Sequence, residues 1–138
     1  MARLTEEMIA MARAEQARDP QFLVTGSFDA YLAKLSEKAE CVADHQGDRC
    51  RGFVAFYCND SRTLRAFITL VLVDPRDRGH GVGRALVGQV LDVARSRGFR
   101  SCALEVSSQN AAAKSMYQAL GFMLKEARDG RELLEVLL

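Results

Sequence analysis

Seven residues, RGHGVGR at positions 78–84, combine three glycines with two arginines just after the apolar run FITLVLVDP. The run reads as a strand, and the residues that follow the glycines read as a helix. A turn at such a junction leaves the first N–H groups of the helix unpaired, at the positive end of its dipole. Gly79, Gly81 and Gly83 carry no side chain that would hold a ligand away from those groups. Phosphate or pyrophosphate suits the place, and the guanidinium groups of Arg78 and Arg84 add charge. The plainer alternative is a tight turn and nothing more.

The spacing rules out two common phosphate loops. A P-loop needs Lys and Ser/Thr after its last glycine, and neither follows Gly83. The dinucleotide fingerprint G-x-G-x-x-G needs a glycine at 84 or 86, where Arg84 and Leu86 stand. What remains is R-x-x-G-x-G, made by Arg78, Gly81 and Gly83.

Around this turn the chain alternates clearly marked elements. Thr5-Glu6-Glu7 is a cap with an acidic first turn, and the spacing predicts a helix over 5–17. Its apolar face (Leu4, Met8, Met11 or Ala12) is imperfect, because it runs into Glu15. Asp19-Pro20 stops it. QFLVT, residues 21–25, fits a short strand or an ordered loop. Ser27 then caps a second helix with Phe28, Tyr31, Leu32, Leu35 and Ala39 on one stripe.

CVADH, CRGFVAFY and LRAFITLVLV follow as three β-rich runs, with turns at Gln46-Gly47-Asp48 and Asn59-Asp60-Ser61. Beyond the glycine turn, Val82, Leu86, Val90, Val93 and Ala94 form an amphipathic helix closed by Gly98. SCALEV is a strand, Asn110 caps a helix carrying Ala113, Met116, Tyr117 and Leu120, and Gly121 ends it. FMLKEA and ELLEVLL, around Arg128-Asp129-Gly130, make a closing hairpin. The result is a mixed α/β (α+β) domain on one sheet, mostly antiparallel, with a parallel crossover over residues 65–106 and flanking helices.

With 138 residues, 49% hydrophobic and 27% charged, this is one domain able to bury a core without staples. Nineteen basic against eighteen acidic residues argue against a nucleic-acid binder that works through a basic field. Cys41, Cys50, Cys58 and Cys102 form no C-x-x-C pair and have no histidine at ligand spacing, so neither a disulfide framework nor a metal is expected. MARLTEEMIA is not a signal peptide and no long apolar run is present, so the expectation is a cytoplasmic protein without a membrane partner.

Arg78, Gly81 and Gly83 resemble the Q/R-x-x-G-x-G/A signature that follows the fourth strand in the GNAT superfamily of N-acetyltransferases. NAAAKSMYQALGF, residues 110–122, resembles a second signature, N-x-x-A-x-x-x-Y-x-x-x-G-F, with Asn110, Ala113, Tyr117, Gly121 and Phe122 in place. LEVSSQN, residues 104–110, is similar to the fifth strand of the subgroup that acetylates ribosomal-protein N-terminal alanines. The resemblance is specific over 41–125 and thin over 1–40. Typical members open with a strand, whereas this chain opens with a helix.

The resemblance implies a GNAT fold divided into an acceptor-side helical part (1–40), an acetyl-CoA-binding core (41–125) and a C-terminal hairpin strand (126–138). It implies acetyl-CoA as cosubstrate, its pyrophosphate held by the N–H groups of Arg78, Gly79, His80, Gly81, Val82, Gly83 and Arg84. Its pantetheine arm would pair as a strand with Val71, Leu72 and Val73, across a gap that the family opens with a bulge. LVLVDP shows no bulge, but the stretch between Phe67 and Asp74 leaves room for one. Asn110 and Tyr117 would also contact the cofactor.

Acetyl transfer to an amine needs a neutral amine, a polarised thioester carbonyl and a proton for the departing thiolate. A phenol suits the last task, and Tyr117 stands at the family's acid position; the alternative is a core tyrosine. The family's fourth-strand glutamate has no counterpart in RAFITLV. Glu105 is the candidate base, as in the subgroup acting on protein N-termini; otherwise it is a solvated strand residue and water relays the proton. Tyr31 and Tyr57, with Lys34 and Asn59, are candidates for the acceptor pocket, more often packing or surface residues elsewhere. His80 and His45 read as exposed.

The function implied is direct transfer of acetyl from acetyl-CoA to a primary amine of a small molecule or protein. A covalent cysteine route is disfavoured, since no cysteine is matched with a histidine. The rival is a catalytically idle acyl-CoA-binding module, a sensor or partner subunit. A homodimer is compatible with either.

Overall fold

The computed structural model describes residues 3–20, 22 and 26–138. Helix α1, Glu6–Arg18, starts where Thr5 Oγ1 accepts from the Met8 N–H at 3.2 Å. Met8, Ala12 and Glu15 are its buried residues, one stripe at i, i+4, i+7. Helix α2, Phe28–Lys38, is capped by Ser27 and buries Leu32 and Leu35. Residues 21 and 23–25 of the predicted strand or loop lie outside the described residues.

Six strands form one sheet in the order β1-β2-β3-β4-β6-β5. Strands β1 (Glu40–Gln46), β2 (Arg49–Tyr57) and β3 (Arg65–Val73) are the antiparallel meander. β4 (Ser101–Ser107) lies parallel to β3, and β6 (Arg131–Leu137) antiparallel to β4. β5 (Met123–Arg128) is the edge strand opposite β1, joined to β6 by a turn with Asp129 and Gly130 both at positive φ. Helix α3 (Val82–Ser96) and helix α4 (Ala111–Ala119, capped by Asn110) cover one face. α1 and α2 cover the other.

The bulge is in β3. Ala55 pairs with Leu70 and Phe56 with Ile68, so Thr69 is the extra residue. It inverts the phase of the strand. Ala66 and Ile68 belong to the core under α3 and α4, whereas Leu70 and Leu72 belong to the core under α1 and α2. Parallel pairing of β3 with β4 stops at Ile68 opposite Leu104. Beyond that point the two strands diverge, and residues 70–73 have no partner on the β4 side.

The connection from β3 to the glycine turn is tied down. Asp74 Oδ1 caps a short 3-10 turn, Pro75–Asp77, by accepting from the Arg76 N–H at 2.9 Å. Arg49 forks onto Asp77 at 2.7 and 3.1 Å. At the far end of α3, Arg97 forks onto Glu40 with both contacts at 2.7 Å, joining the helix to the start of β1. No helix among the described residues is long and apolar enough to cross a membrane.

Candidate active site

A cleft of 990 Å³ runs from the gap between β3 and β4 to the start of α3. Its lining brings together most of the residues singled out in the sequence: 71–73, the glycine turn apart from His80, Glu105, Asn110 and Tyr117. Thr69, Met116 and Arg131 line it as well. Tyr31, Tyr57 and His80 are not among its lining residues.

The glycines divide their work. Gly79 and Gly81 sit at φ +81 and +80, in open space, where the left-handed backbone disfavours any side chain. Gly81 is the N-cap of α3 and supplies no side-chain cap, so the first N–H groups of that helix are left for another acceptor. Gly83 is different. A Cβ there would lie 3.4 Å from Val73 Cγ2 and 3.5 Å from Met116 Sδ, in ordinary contact, so an alanine would fit but a side chain branching beyond Cβ would press into β3 and α4.

The two arginines also differ. Arg78 is committed: its Nη2 donates to Glu15 at 2.9 Å and its Nε to the Val73 carbonyl at 3.1 Å. Glu15, only 7% exposed, is also paired with Arg18. This pairing explains how a carboxylate can occupy the buried stripe of α1. Arg84 has no side-chain ion pair or hydrogen bond among the described residues, and it is exposed at the cleft.

Tyr117 comes from α4, its ring edge-on to Phe122 with centroids 5.7 Å apart. Burial pushes its phenol up to about 12. The hydroxyl makes no hydrogen bond among the described residues, yet none of their buried side-chain polar atoms lacks a partner, so this oxygen opens on the cleft. Asn110 spends Oδ1 on the Ala113 N–H at 3.2 Å, which is capping.

Glu105 lies on the other side of the sheet. Its neighbours Leu104 and Val106 point into the core under α3 and α4, so alternation turns Glu105 toward the face of α1 and α2. Its side chain is 53% exposed, with Arg131 Nε 4.0 Å from Oε2. The cleft thus has a phenol on one face of the sheet and a carboxylate on the other, with the gap between them.

Tyr31 supports the site from outside it. Its hydroxyl donates to the Thr69 carbonyl at 2.9 Å and lies 2.8 Å from Thr69 Oγ1. Tyr57 carries Lys34 Nζ over its ring at 5.8 Å. The four cysteines are buried, burial raises each thiol, and Cys102 reaches about 12.

Two of these features escape sequence reasoning. Thr69 is the pivot of the gap but sits in a uniformly apolar run. Arg131 adjoins Glu105 only through β4–β6 pairing. Glu15 does leave a trace, as a charge interrupting an apolar stripe.

Comparison with known proteins agrees with this architecture. The Acetyltransferase (GNAT) family model matches residues 2–122. An uncharacterised N-acetyltransferase of Methanocaldococcus jannaschii is 39% identical over 104 residues, covering 72% of this chain; the chain spans 46% of that relative's length. The ribosomal protein bS18-alanine N-acetyltransferase of Escherichia coli K12 is 33% identical over 118 residues, 75% of this chain and 78% of that protein. The crystal structure of the E. coli ribosomal-protein-S18-alanine N-acetyltransferase superposes with a TM-score of 0.77 at 22% identity, covering 99% of this chain and 91% of the other. An N-acetyltransferase of Thermoplasma acidophilum in complex with coenzyme A gives 0.68 at 17% identity, over 98% and 80%. The glycine turn, the second signature and the splayed parallel pair have one common explanation: this chain is a member of the GNAT family of acetyltransferases.

Proposed function

We propose that the chain transfers acetyl from acetyl-CoA directly to a primary amine. The observation that carries the reading is the gap beyond Ile68 and Leu104, which opens into one cleft with the uncapped start of α3. The coenzyme A complex of the Thermoplasma fold relative supports the choice of cosubstrate. Residues 79–84 would hold the pyrophosphate through backbone N–H groups, with Arg84 adding charge. Residues 71–73, with backbone unpaired toward β4, would pair with the pantetheine arm.

Acetyl-CoA supplies an acyl group activated as a thioester. In this reading Tyr117 keeps a proton on the α4 side of the gap and gives a hydrogen bond or that proton to the departing thiolate. Glu105 takes the proton of the attacking amine on the other side, directly or through water. The raised thiols of the buried cysteines favour transfer without a covalent acyl-enzyme. Residues 1–40 form the acceptor side, and the acetyl-CoA core extends over 41–125.

Glu105→Gln tests this reading. It keeps the volume of the side chain but cannot take a proton, so turnover should fall by about 10²–10⁴-fold with acetyl-CoA binding retained. Calorimetry with acetyl-CoA and thiol release over an amine panel separate this from the idle binding module. Binding without thiol release on any amine would favour the module.

A further inference from the structure

The acceptor end of the cleft carries two opposite charges side by side. Arg131 opens β6 opposite Ser107, while Glu105 pairs with Leu133, so alternation places Arg131 and Glu105 on one face. The backbone of Arg131 is held firmly. The preceding turn has Asp129 at φ +53 and Gly130 at φ +76, and the Gly130 carbonyl accepts from the Ser108 N–H at 2.8 Å. Neighbouring charges are satisfied elsewhere: Lys114 with Glu132 at 2.8 Å, Arg128 with Glu126 at 2.7 Å.

Arg131 is not satisfied in this way. Its nearest carboxylate oxygen, on Glu105, is 4.0 Å from Nε, beyond hydrogen-bond reach. Its guanidinium makes no side-chain hydrogen bond among the described residues, although it lines the cleft and has five N–H donors in a planar fork. A fork of that shape matches a carboxylate.

We propose that Arg131 is a specificity-determining residue that reads a carboxylate next to the acceptor's amine, so that the acceptors are small amino acids. The inference rests on the acetyl-transfer reading, with Glu105 on the acceptor side. A zwitterion meets both charges at once, its ammonium end toward Glu105 and its carboxylate end toward Arg131. A polyamine would set a second cation against Arg131. A peptide N-terminus would offer only a neutral carbonyl.

The test compares amino acids and diamino acids with their own C-terminal amides, by kcat/KM, in the wild type, Arg131→Gln and Arg131→Lys. The acid-to-amide ratio is taken within each protein, and the change in that ratio between proteins cancels differences in amine basicity. Arg131→Gln should lower the ratio by roughly 10- to 100-fold, the scale of one charge-assisted contact, with Arg131→Lys in between. Acetyl-CoA affinity is measured alongside to establish that each variant is folded. An unchanged ratio in a folded Arg131→Gln variant overturns the proposal and leaves acetyl transfer standing, as does faster turnover of peptide N-termini than of any free amino acid. Acetyl-CoA binding with no amine consumed defeats the transfer reading, and this proposal with it.

Discussion

The Tyr31 hydroxyl on α2 donates to the carbonyl of Thr69, the bulged residue of β3, at 2.9 Å, and lies 2.8 Å from its Oγ1. A bulge leaves backbone groups out of the ladder, and this contact satisfies one of them. Burial raises the Tyr31 phenol to about 12, so the contact persists across the physiological pH range.

Removing that hydroxyl should therefore be felt in the cleft, which Tyr31 does not itself line. Tyr31→Phe should destabilise the protein by about 1–3 kcal/mol, the cost of stranding a partly buried acceptor. Acetyl-CoA affinity should fall too, as β3 relaxes. Denaturant unfolding and calorimetry check both; unchanged stability would mean that the bulge supports itself.

Tyr117→Phe keeps the ring against Phe122, so stability near neutral pH should change by less than about 0.5 kcal/mol. Turnover should fall by about 10²–10⁴-fold if the phenol is the acid. Because the folded-state pKa is raised to about 12, the wild-type pH profile should show no descending limb from this residue below about pH 11. The sign for stability follows. Burial favours the neutral phenol, so its contribution is intact below the unfolded pKa near 10 and is lost as pH rises through 12. The phenylalanine variant should lack that component of the alkaline loss.

Gly81 and Gly83 should fail differently. Gly81→Ala places a side chain at φ +80 in open space, costing about 1–2 kcal/mol of backbone strain, and should weaken acetyl-CoA binding by altering the turn. Gly83→Val presses into Val73 and Met116, an overpacking worth about 1–3 kcal/mol, so stability and binding should drop together. Thermal melts with and without acetyl-CoA distinguish the two. A Gly83→Val protein of wild-type stability would refute the packing assignment.

Arg84, rather than Arg78, should supply the salt-sensitive share of cofactor affinity. Arg84→Gln should weaken coenzyme A but hardly touch pantetheine, and it should flatten the dependence on ionic strength. Arg78→Gln should instead loosen α1, because it removes one of the two guanidinium partners of Glu15. Titrations with both ligands at low and high salt decide. Equal losses for coenzyme A and pantetheine in Arg84→Gln would contradict a phosphate contact.

Local chemistry made much of this legible in the sequence. Thr5, Ser27 and Asn110 each announce a helix start by an oxygen that can reach an N–H three residues on, and each does so. The strands, the parallel pair and the glycine turn stand where composition and punctuation place them. What stayed hidden depends on partners distant in the chain. FITLVLV is apolar on both faces, so a phase inversion at Thr69 leaves no mark in hydrophobic alternation. Arg78 reads as a phosphate ligand until Glu15, 63 residues earlier, is seen to hold it. Tyr31 falls on the apolar stripe of α2, and only the fold shows its hydroxyl meeting a bulge.

The seam between β3 and β4 has a mechanical consequence. Among the described residues, the strand pairing between the half-sheet β1-β2-β3 and the half-sheet β4-β6-β5 is four residue pairs, Arg65–Ile68 against Ser101–Leu104, preceded by the Arg100 N–H on the Leu64 carbonyl at 2.8 Å. The halves should therefore behave as two leaves joined at one edge, with the opposite edge free to breathe. Any molecule lodged between the leaves braces them, so occupancy and rigidity rise together. Amides of residues 70–73 should exchange with solvent faster than those of 65–68 in the empty protein, and slow selectively when the gap is filled.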